Sequence, residues 1–491
     1  MIASIHSFRG LLPRHRAIGI ALYFRLAAVL ALVMVPGVWA QSYYIAPNPT
    51  SGTGTITSPF GLPDLLNTTT LPVTQGPALT ILQPGDTLYF RGGTYNVAGD
   101  AADYTTQMIC PTHSGTLSQP ITLSAYPGEK VNIVCTGGLQ PIFGSRLPVL
   151  DYVRFLGFSI DSGPGVMGPT YPSAPAAFYI SGTGNEVGYN EVIGRYLPTK
   201  DNHDGIRIDF ASNTWIHHND IHGVMGDAHN SVGIKMYAND LTLIEDNYIH
   251  GCYTSVYDKD SGTVDYAEQT TYRRNFFTGD FYQSFIGNDN SDKIAIYYIY
   301  DNVFDGSMPD GYGIKLNDVN IAPANKVQVY NNLFRGIGSA QAVLASDGSV
   351  QENVWNNIAL SSGTPVIGYY EYHTPFAASG PSAPLAYMDY NVYDGAPNYQ
   401  FGVYSTPSTY TLAQFQAQGF ETHASVTAAS NIFVDQVSYV LKPAYQHAGR
   451  DGNEPVGPRF PIATILDTSR YGPSAMPGNS TTPVVSSAIT A

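Results

Sequence analysis

The chain has 491 residues, a net charge of −15 and only 12% charged residues, about half the usual share. That balance excludes a general nucleic-acid binder, which needs a basic face, but leaves room for an anionic partner at a local basic cluster or a bound Ca2+. Its 36 tyrosines and 49 glycines, with abundant Asn, favour an all-β chain over a helical one.

The first 40 residues read as a targeting segment. Arg9, Arg14, His15, Arg16 and Arg25 precede an apolar run from Leu26 to Val35, and Pro36-Gly37 ends it before Val38-Trp39-Ala40. This is the layout of a signal peptide cleaved before Gln41. A membrane anchor is the alternative, but the run is short against the roughly 20 residues of a span. The mature chain is expected outside the cytoplasm, secreted, periplasmic or on the cell surface, without a membrane span and as a monomer.

Residues 41–135 mix short β-prone runs with Pro-Gly turns: Tyr43-Tyr44-Ile45-Ala46-Pro47-Asn48, then Pro84 to Tyr95, then Gln119 to Gly128. They read as the first turns of a solenoid and a cap over its open end. Cys110 and Cys135 lie 25 residues apart, about one turn, so they either form a disulfide or remain two buried thiols. Cys252 reads as a core thiol, and the three match no zinc spacing.

The middle of the chain repeats. Asn, any residue, then an apolar residue recurs from Asn190, Asn219, Asn247, Asn275, Asn302, Asn332, Asn356 and Asn391, at spacings of 29, 28, 28, 27, 30, 24 and 35. Gly157-Phe158-Ser159-Ile160 is a degenerate earlier copy. Asn tolerates the left-handed backbone of a sharp corner, and stacked Asn side chains can bond along a ladder. A second strand lies upstream of the corner: Gly205-Ile206-Arg207-Ile208, Gly233-Ile234-Lys235-Met236 and Gly313-Ile314-Lys315-Leu316, with the basic residue facing out between apolar ones. The period is too short for a propeller blade, and the Leu positions of a leucine-rich repeat are missing. These features predict an all-β, right-handed parallel β-helix of about 8–10 turns over residues 41–455. Residues 252–274 read as a polar loop, 396–455 as a closing cap, and 456–491 as a Pro/Ser/Thr-rich, poorly ordered tail.

The N-terminal runs above, with Asn431-Ile432-Phe433-Val434-Asp435 and Tyr439-Val440-Leu441-Lys442-Pro443, resemble secreted right-handed β-helix proteins, above all the ninth family of polysaccharide lyases, the pectate-lyase-type enzymes. That resemblance implies an acidic polysaccharide as substrate, Ca2+ held by Asp residues on adjacent turns, and an outward Lys as base. His203-Asp204-Gly205-Ile206-Arg207-Ile208-Asp209 is the best match to the aspartate motif, with His203 where the second adjacent Asp stands. It implies Asp201, Asp204, Asp209 and Asp227 as metal ligands and Lys235 as base. Lys315 matches the base motif locally but lies farther along.

Cleavage by β-elimination removes a weakly acidic proton beside a carboxylate, so the carboxylate must be neutralised by a metal or by Arg. Arg207 and Lys235 stand 28 residues apart, each 12 residues before its Asn, which predicts neighbours about 5 Å apart on one outer face. Tyr237, Tyr257, Tyr282, His203 and Lys259 are expected near the groove to hold sugar. His217, His218, His222 and His229 crowd the same stretch of sequence, and Arg273 or Arg274 is a second candidate clamp. The alternatives are a glycoside hydrolase using Asp204 with Asp227 or Asp209, and a glycan-binding surface protein without chemistry.

Overall fold

Apolar residues recurring on three faces per turn close the chain into a coil of parallel strands. The computed structural model describes residues 40–477 apart from 101–102, 104–105, 139, 163–175, 196–202, 227–229, 261–267, 280–282, 290–294, 307–311, 318–326, 338–343, 347–351, 362–365, 371–384 and 403–407. The segment read as a signal peptide lies outside the described residues. Among the described residues, three sheets of twelve, twelve and eleven strands run along a right-handed parallel β-helix. In the middle turns each strand pairs in parallel with the strand one turn on. We call the sheet containing Trp215–His217 sheet I, that containing Asp220–His222 sheet II, and that containing Asp204–Ser212 sheet III. The chain therefore runs from sheet III through a short sheet I strand to the Asn corner and then to sheet II.

Core side chains stack turn upon turn. Ile206 pairs with Ile234 and Ile234 with Val256, and all three are fully buried. Phe277, Phe304 and Phe334 stack at centroid separations of 4.9 Å. Gly205 and Gly233 open their strands where a Cβ would lie 2.6 Å from Gly233 O and 2.7 Å from Ser255 O, so the Gly-Ile-x-Ile/Met signature marks a close approach of backbones. Short helices at Leu62–Leu65 and Pro77–Thr80 accompany the first turns. At the other end the helix Leu412–Gln416 buries Phe415 against Tyr399, at 4.2 Å. Among the described residues no helix is long and apolar enough to cross a membrane.

The Asn corner is a buried ladder of eight side chains: Asn190, Asn219, Asn247, Asn275, Asn302, Asn332, Asn357 and Asn391. Each Nδ2, and each backbone N–H, donates to the Oδ1 of the next at 2.9–3.1 Å, as far as Asn391. Asn357, not Asn356, is the ladder member. The left-handed residue is the one before each ladder Asn: Tyr189, His218, Asp246, Arg274, Asp301, Asn331, Asn356 and Tyr390. The ladder thus selects Asn for two-sided hydrogen bonding in a buried place, not for a left-handed backbone. Asn391 ends it by donating to the buried carboxyl of Glu421 at 3.1 Å, which Tyr393 also reaches at 2.5 Å.

Two other expectations change, and one open alternative, disulfide or buried thiols, is resolved. The 252–274 stretch contains the strands Thr254–Asp260 and Glu268–Arg273 and continues the repeat. All three cysteines are free and buried, and burial pushes the Cys110 thiol up to about 12. Residues 456–477 are an ordered strap, not a loose tail. Gly457 N–H donates to Asn356 O, Arg459 grips Asp301 at 3.0 Å, and Gly472 N–H donates to His218 O, so the segment runs back along the corner and covers its left-handed residues. Arg-on-aromatic contacts hold it: Arg459 lies 5.1 Å from the Tyr300 ring and 5.3 Å from Tyr330.

Candidate active site

Sheet III carries the basic residues. Alternation turns Ile206 and Ile208 inward and Arg207 outward, and register does the rest. Tyr179 pairs with Arg207, Arg207 with Lys235, and Lys235 with Tyr257, forming one outer column; beside it Asp209 pairs with Tyr237. The 28-residue spacing therefore does place Arg207 and Lys235 side by side.

Around them lies a dense charge cluster. Arg207 bridges two carboxylates, Nη1 at 3.4 Å from Asp204 Oδ2 and Nε at 3.4 Å from Asp209 Oδ1. Lys235 Nζ is 3.8 Å from Asp204 Oδ1, and Arg146 Nε is 3.7 Å from Asp209 Oδ2. The Tyr179 hydroxyl donates to Asp209. The Arg207 guanidinium lies over Tyr237 at 4.8 Å and Tyr179 at 5.2 Å, and Arg146 over Tyr179 at 4.6 Å.

Burial sorts these groups. The Arg207 side chain is 25% exposed, Asp204 3% and Lys235 0%, so Arg207 is at the rim and Lys235 is not the solvent-facing residue that outward alternation predicted. Tyrosine rings on the neighbouring positions help cover it: Lys235 Nζ is 5.7 Å from the Tyr237 centroid. Burial lifts the Asp204 carboxyl above the ordinary carboxylate range, against the pull of Lys235 and Arg207. Burial opposes the Arg207 charge as well, but Asp204 and Asp209 outweigh it and raise its pKa further.

The remaining candidates separate. Tyr237 is half-buried on this face; Tyr257 is almost wholly buried and offers no flat ring to a sugar. Lys259 is half-buried, with Nζ 5.8 Å from the Tyr257 centroid. His203 is buried and pushed down to about 4 by desolvation, against its bonds to the backbone at Met225 and Arg195, so it stays neutral near pH 7. Lys315 shares the column but stands three strands beyond Lys235. His217 bonds Glu186 on sheet I, His218 stacks on Tyr189 at the corner, and His222 faces Glu191 on sheet II, so the sequence cluster of histidines is spread over other faces. Arg273 and Arg274 pair with Glu245 on sheet I, and Arg274 also with Asp246 at the corner. Asp201, Asp227, His229 and Tyr282 lie outside the described residues.

Three residues escaped the sequence reading. Tyr179 was legible, since Phe178-Tyr179-Ile180 repeats the alternation of Ile206-Arg207-Ile208 one turn earlier. Arg146 lies in a turn without that pattern. Phe210 is a large apolar side chain 57% exposed, with a left-handed φ of 54° beside Asp209, where the pairing with Phe178–Thr183 shifts register. A cleft of about 430 Å3 opens elsewhere, between Tyr126–Lys130, Glu191 and Asp220 and the strap at Tyr471–Met476, but its acids already have partners: Glu129 bonds Arg91, Glu191 bonds Ser159, and Asp220 bonds His250.

The fold and the cation-rich face define a parallel β-helix protein with a polar centre built across neighbouring turns. No family model matches the chain, and no curated protein matches it. Solved structures do resemble it. They include the pectate lyase Pel9A at 14% identity (TM-score 0.40, 70% of this chain and 83% of that one) and XylC in complex with xylose at 12% (0.37, 74% and 85%). A mannuronic-acid-specific family 6 polysaccharide lyase from human gut microbiota is 13% identical (0.36, 79% and 91%). At such identities the likeness carries no residue-level correspondence.

Proposed function

We propose that this protein is a polysaccharide lyase acting outside the cytoplasm on a uronate-containing, pectate-like polymer. The observation that carries the reading is the cross-strand pair Arg207–Lys235 inside a cluster that holds three cations and two carboxylates. Arg146 and Arg207 alone match the charge of Asp204 and Asp209, and protonated Lys235 adds to it, so the cluster suits an incoming carboxylate.

In the reaction Arg207, at the rim, pairs with the carboxylate of the bound sugar and offsets the charge that builds on it. Lys235 first gives up its own proton to solvent and then, as the neutral amine, takes the proton from the carbon beside that carboxylate. The released electron pair forms a carbon–carbon double bond, the bond from the next carbon to the glycosidic oxygen breaks, and that oxygen takes up a proton. The products are an unsaturated sugar and a new chain end. Half-buried Tyr237 and exposed Phe210 offer rings to sugar faces. Because Lys235 is covered, binding must expose it.

The test is to incubate the purified protein with several acidic glycans and follow absorbance of the unsaturated uronate. Product is expected from at least one glycan, with loss of at least a hundredfold in Lys235→Ala at unchanged β circular dichroism. Undiminished activity in that variant removes Lys235 as base. A second reading, a hydrolase, is favoured by one fact: Asp204 and Asp209 sit in unlike environments, Asp204 lifted by burial and Asp209 accepting from Tyr179. New reducing ends without an absorbing product would support it, and glycan binding with no new ends would mark a non-catalytic binder.

A further inference from the structure

The resemblance noted in the sequence implies Ca2+ held by Asp201, Asp204, Asp209 and Asp227; Asp201 and Asp227 lie outside the described residues, and the geometry around Asp204 and Asp209 does not fit it. A calcium ion takes six to eight oxygen ligands at about 2.3–2.6 Å, so two carboxylates sharing one ion must both point at a common centre free of other cations. Here a single guanidinium lies against both. Arg207 meets Asp204 through Nη1 and Asp209 through Nε, each at 3.4 Å. On their other sides the carboxylates meet Lys235 at 3.8 Å and Arg146 at 3.7 Å. Each carboxylate therefore lies between two cations already. A divalent ion added between them would stand within a few ångströms of fixed positive charge, in a place where burial strengthens the repulsion. Among the described residues no three His, Cys, Asp or Glu side chains converge as a metal set.

We propose that the Arg207 guanidinium occupies the position of a calcium ion in this chain, so that the Asp204–Asp209 pair holds an arginine in place and the substrate carboxylate is neutralised without a divalent metal. The two aspartates are then positioning residues: they fix the fork of Arg207 so that its outer edge faces the glycan. The catalytic corollary rests on the lyase reading above, but the metal claim does not, because it concerns this chain's own carboxylates with no glycan present.

Calcium titration of the full chain tests it directly. The wild-type protein, stripped with EDTA, is expected to show no saturable heat in calorimetry and no rise in Tm on adding CaCl2. Arg207→Gln removes the cation shared by the two carboxylates, leaving an uncharged amide between them with Lys235 beside Asp204 and Arg146 beside Asp209. That variant is expected to lose stability in EDTA and to regain several degrees of Tm in CaCl2, whereas the wild type does not. Should the variant fail to fold, the wild-type titration decides alone: calcium stabilisation of the wild type that disappears in Asp204→Asn or Asp209→Asn overturns the proposal. If a glycan is cleaved, the rate should be the same in EDTA and in CaCl2. A rate lost in EDTA and restored by calcium overturns the metal claim while leaving the lyase reading intact, and a protein that cleaves nothing leaves the calcium titration as the deciding result.

Discussion

Glu421→Gln should gain stability relative to wild type as pH rises from 4.5 to 7, because the Asn ladder ends on an acid. The Glu421 carboxyl is fully buried, takes hydrogen bonds from Asn391 Nδ2 and the Tyr393 hydroxyl through Oε1, and leaves Oε2 without a partner. Burial pushes its pKa up from 4.5 to about 7, with the bonds from Tyr393 and Asn391 pulling the other way. Since the folded value lies above the unfolded one, the carboxyl supports folding fully below pH 4.5 and withdraws that support as pH climbs to about 7. The shift corresponds to roughly 3 kcal/mol at 1.36 kcal/mol per pH unit. Gln keeps an acceptor for Asn391 and Tyr393 and cannot ionise. Two histidines, His203 buried and His218 half-buried, act in the opposite sense. Burial lowers His203 and His218 to about 4, so their contribution is present above pH 6.5 and lost as pH falls toward 4. Two histidines outweigh one glutamate across the shared window, so wild-type stability from these three groups should rise from pH 4 and level off near pH 7. Urea unfolding between pH 4 and 9 checks this: the stability of Glu421→Gln relative to wild type should rise by about 3 kcal/mol between pH 4.5 and pH 7 and stay constant above it. A stability difference between the two proteins that does not change with pH would refute the reasoning.

Three further outcomes follow from the same structure. Asn275→Ala should cost about 3–5 kcal/mol in urea unfolding, because it strips a partner from the buried Asn247 N–H and from the Ile244 carbonyl; a loss below 1 kcal/mol would show that the ladder is not a structural spine. Arg459→Ala should cost about 2 kcal/mol, since Asp301 is nearly buried and loses its cation, and should speed proteolysis after residue 456. Phe210→Asn should raise stability by about 1 kcal/mol, because Asn adopts the left-handed backbone that Phe holds under strain, and should lower glycan affinity if the ring contacts sugar; glycan titration with both proteins measures the second effect.

The coil was legible because its cause is periodic. A buried Asn that must meet the next Asn recurs at a nearly constant interval, and Ile-x-Ile/Met repeats at matching places, so Arg207 and Lys235 could be set side by side from spacing alone. The slip to Asn356 arose where two asparagines adjoin and only the three-dimensional corner tells which side chain points in. Depth was not legible. Alternation says that Lys235 faces away from the core, but not that neighbouring rings and acids cover it. Nor does spacing distinguish an Asp that awaits a metal from one already held by Arg146 or Arg207, because Arg146 comes from a turn without the repeat signature. The strap read as a loose tail because it is rich in Pro, Ser and Thr, whereas what orders it is Arg459 laid on Tyr300 and Tyr330 and paired with Asp301, together with backbone bonds to Asn356 and His218.

The most direct test of the site is a crystal structure of the Lys235→Ala protein with an acidic oligosaccharide. A uronate carboxylate should lie within hydrogen-bonding distance of the Arg207 guanidinium, with the adjoining carbon–hydrogen bond aimed at position 235 and no metal ion between carboxylate and protein. A glycan bound on sheet I or sheet II, or held through calcium at Asp204 and Asp209, would contradict the account.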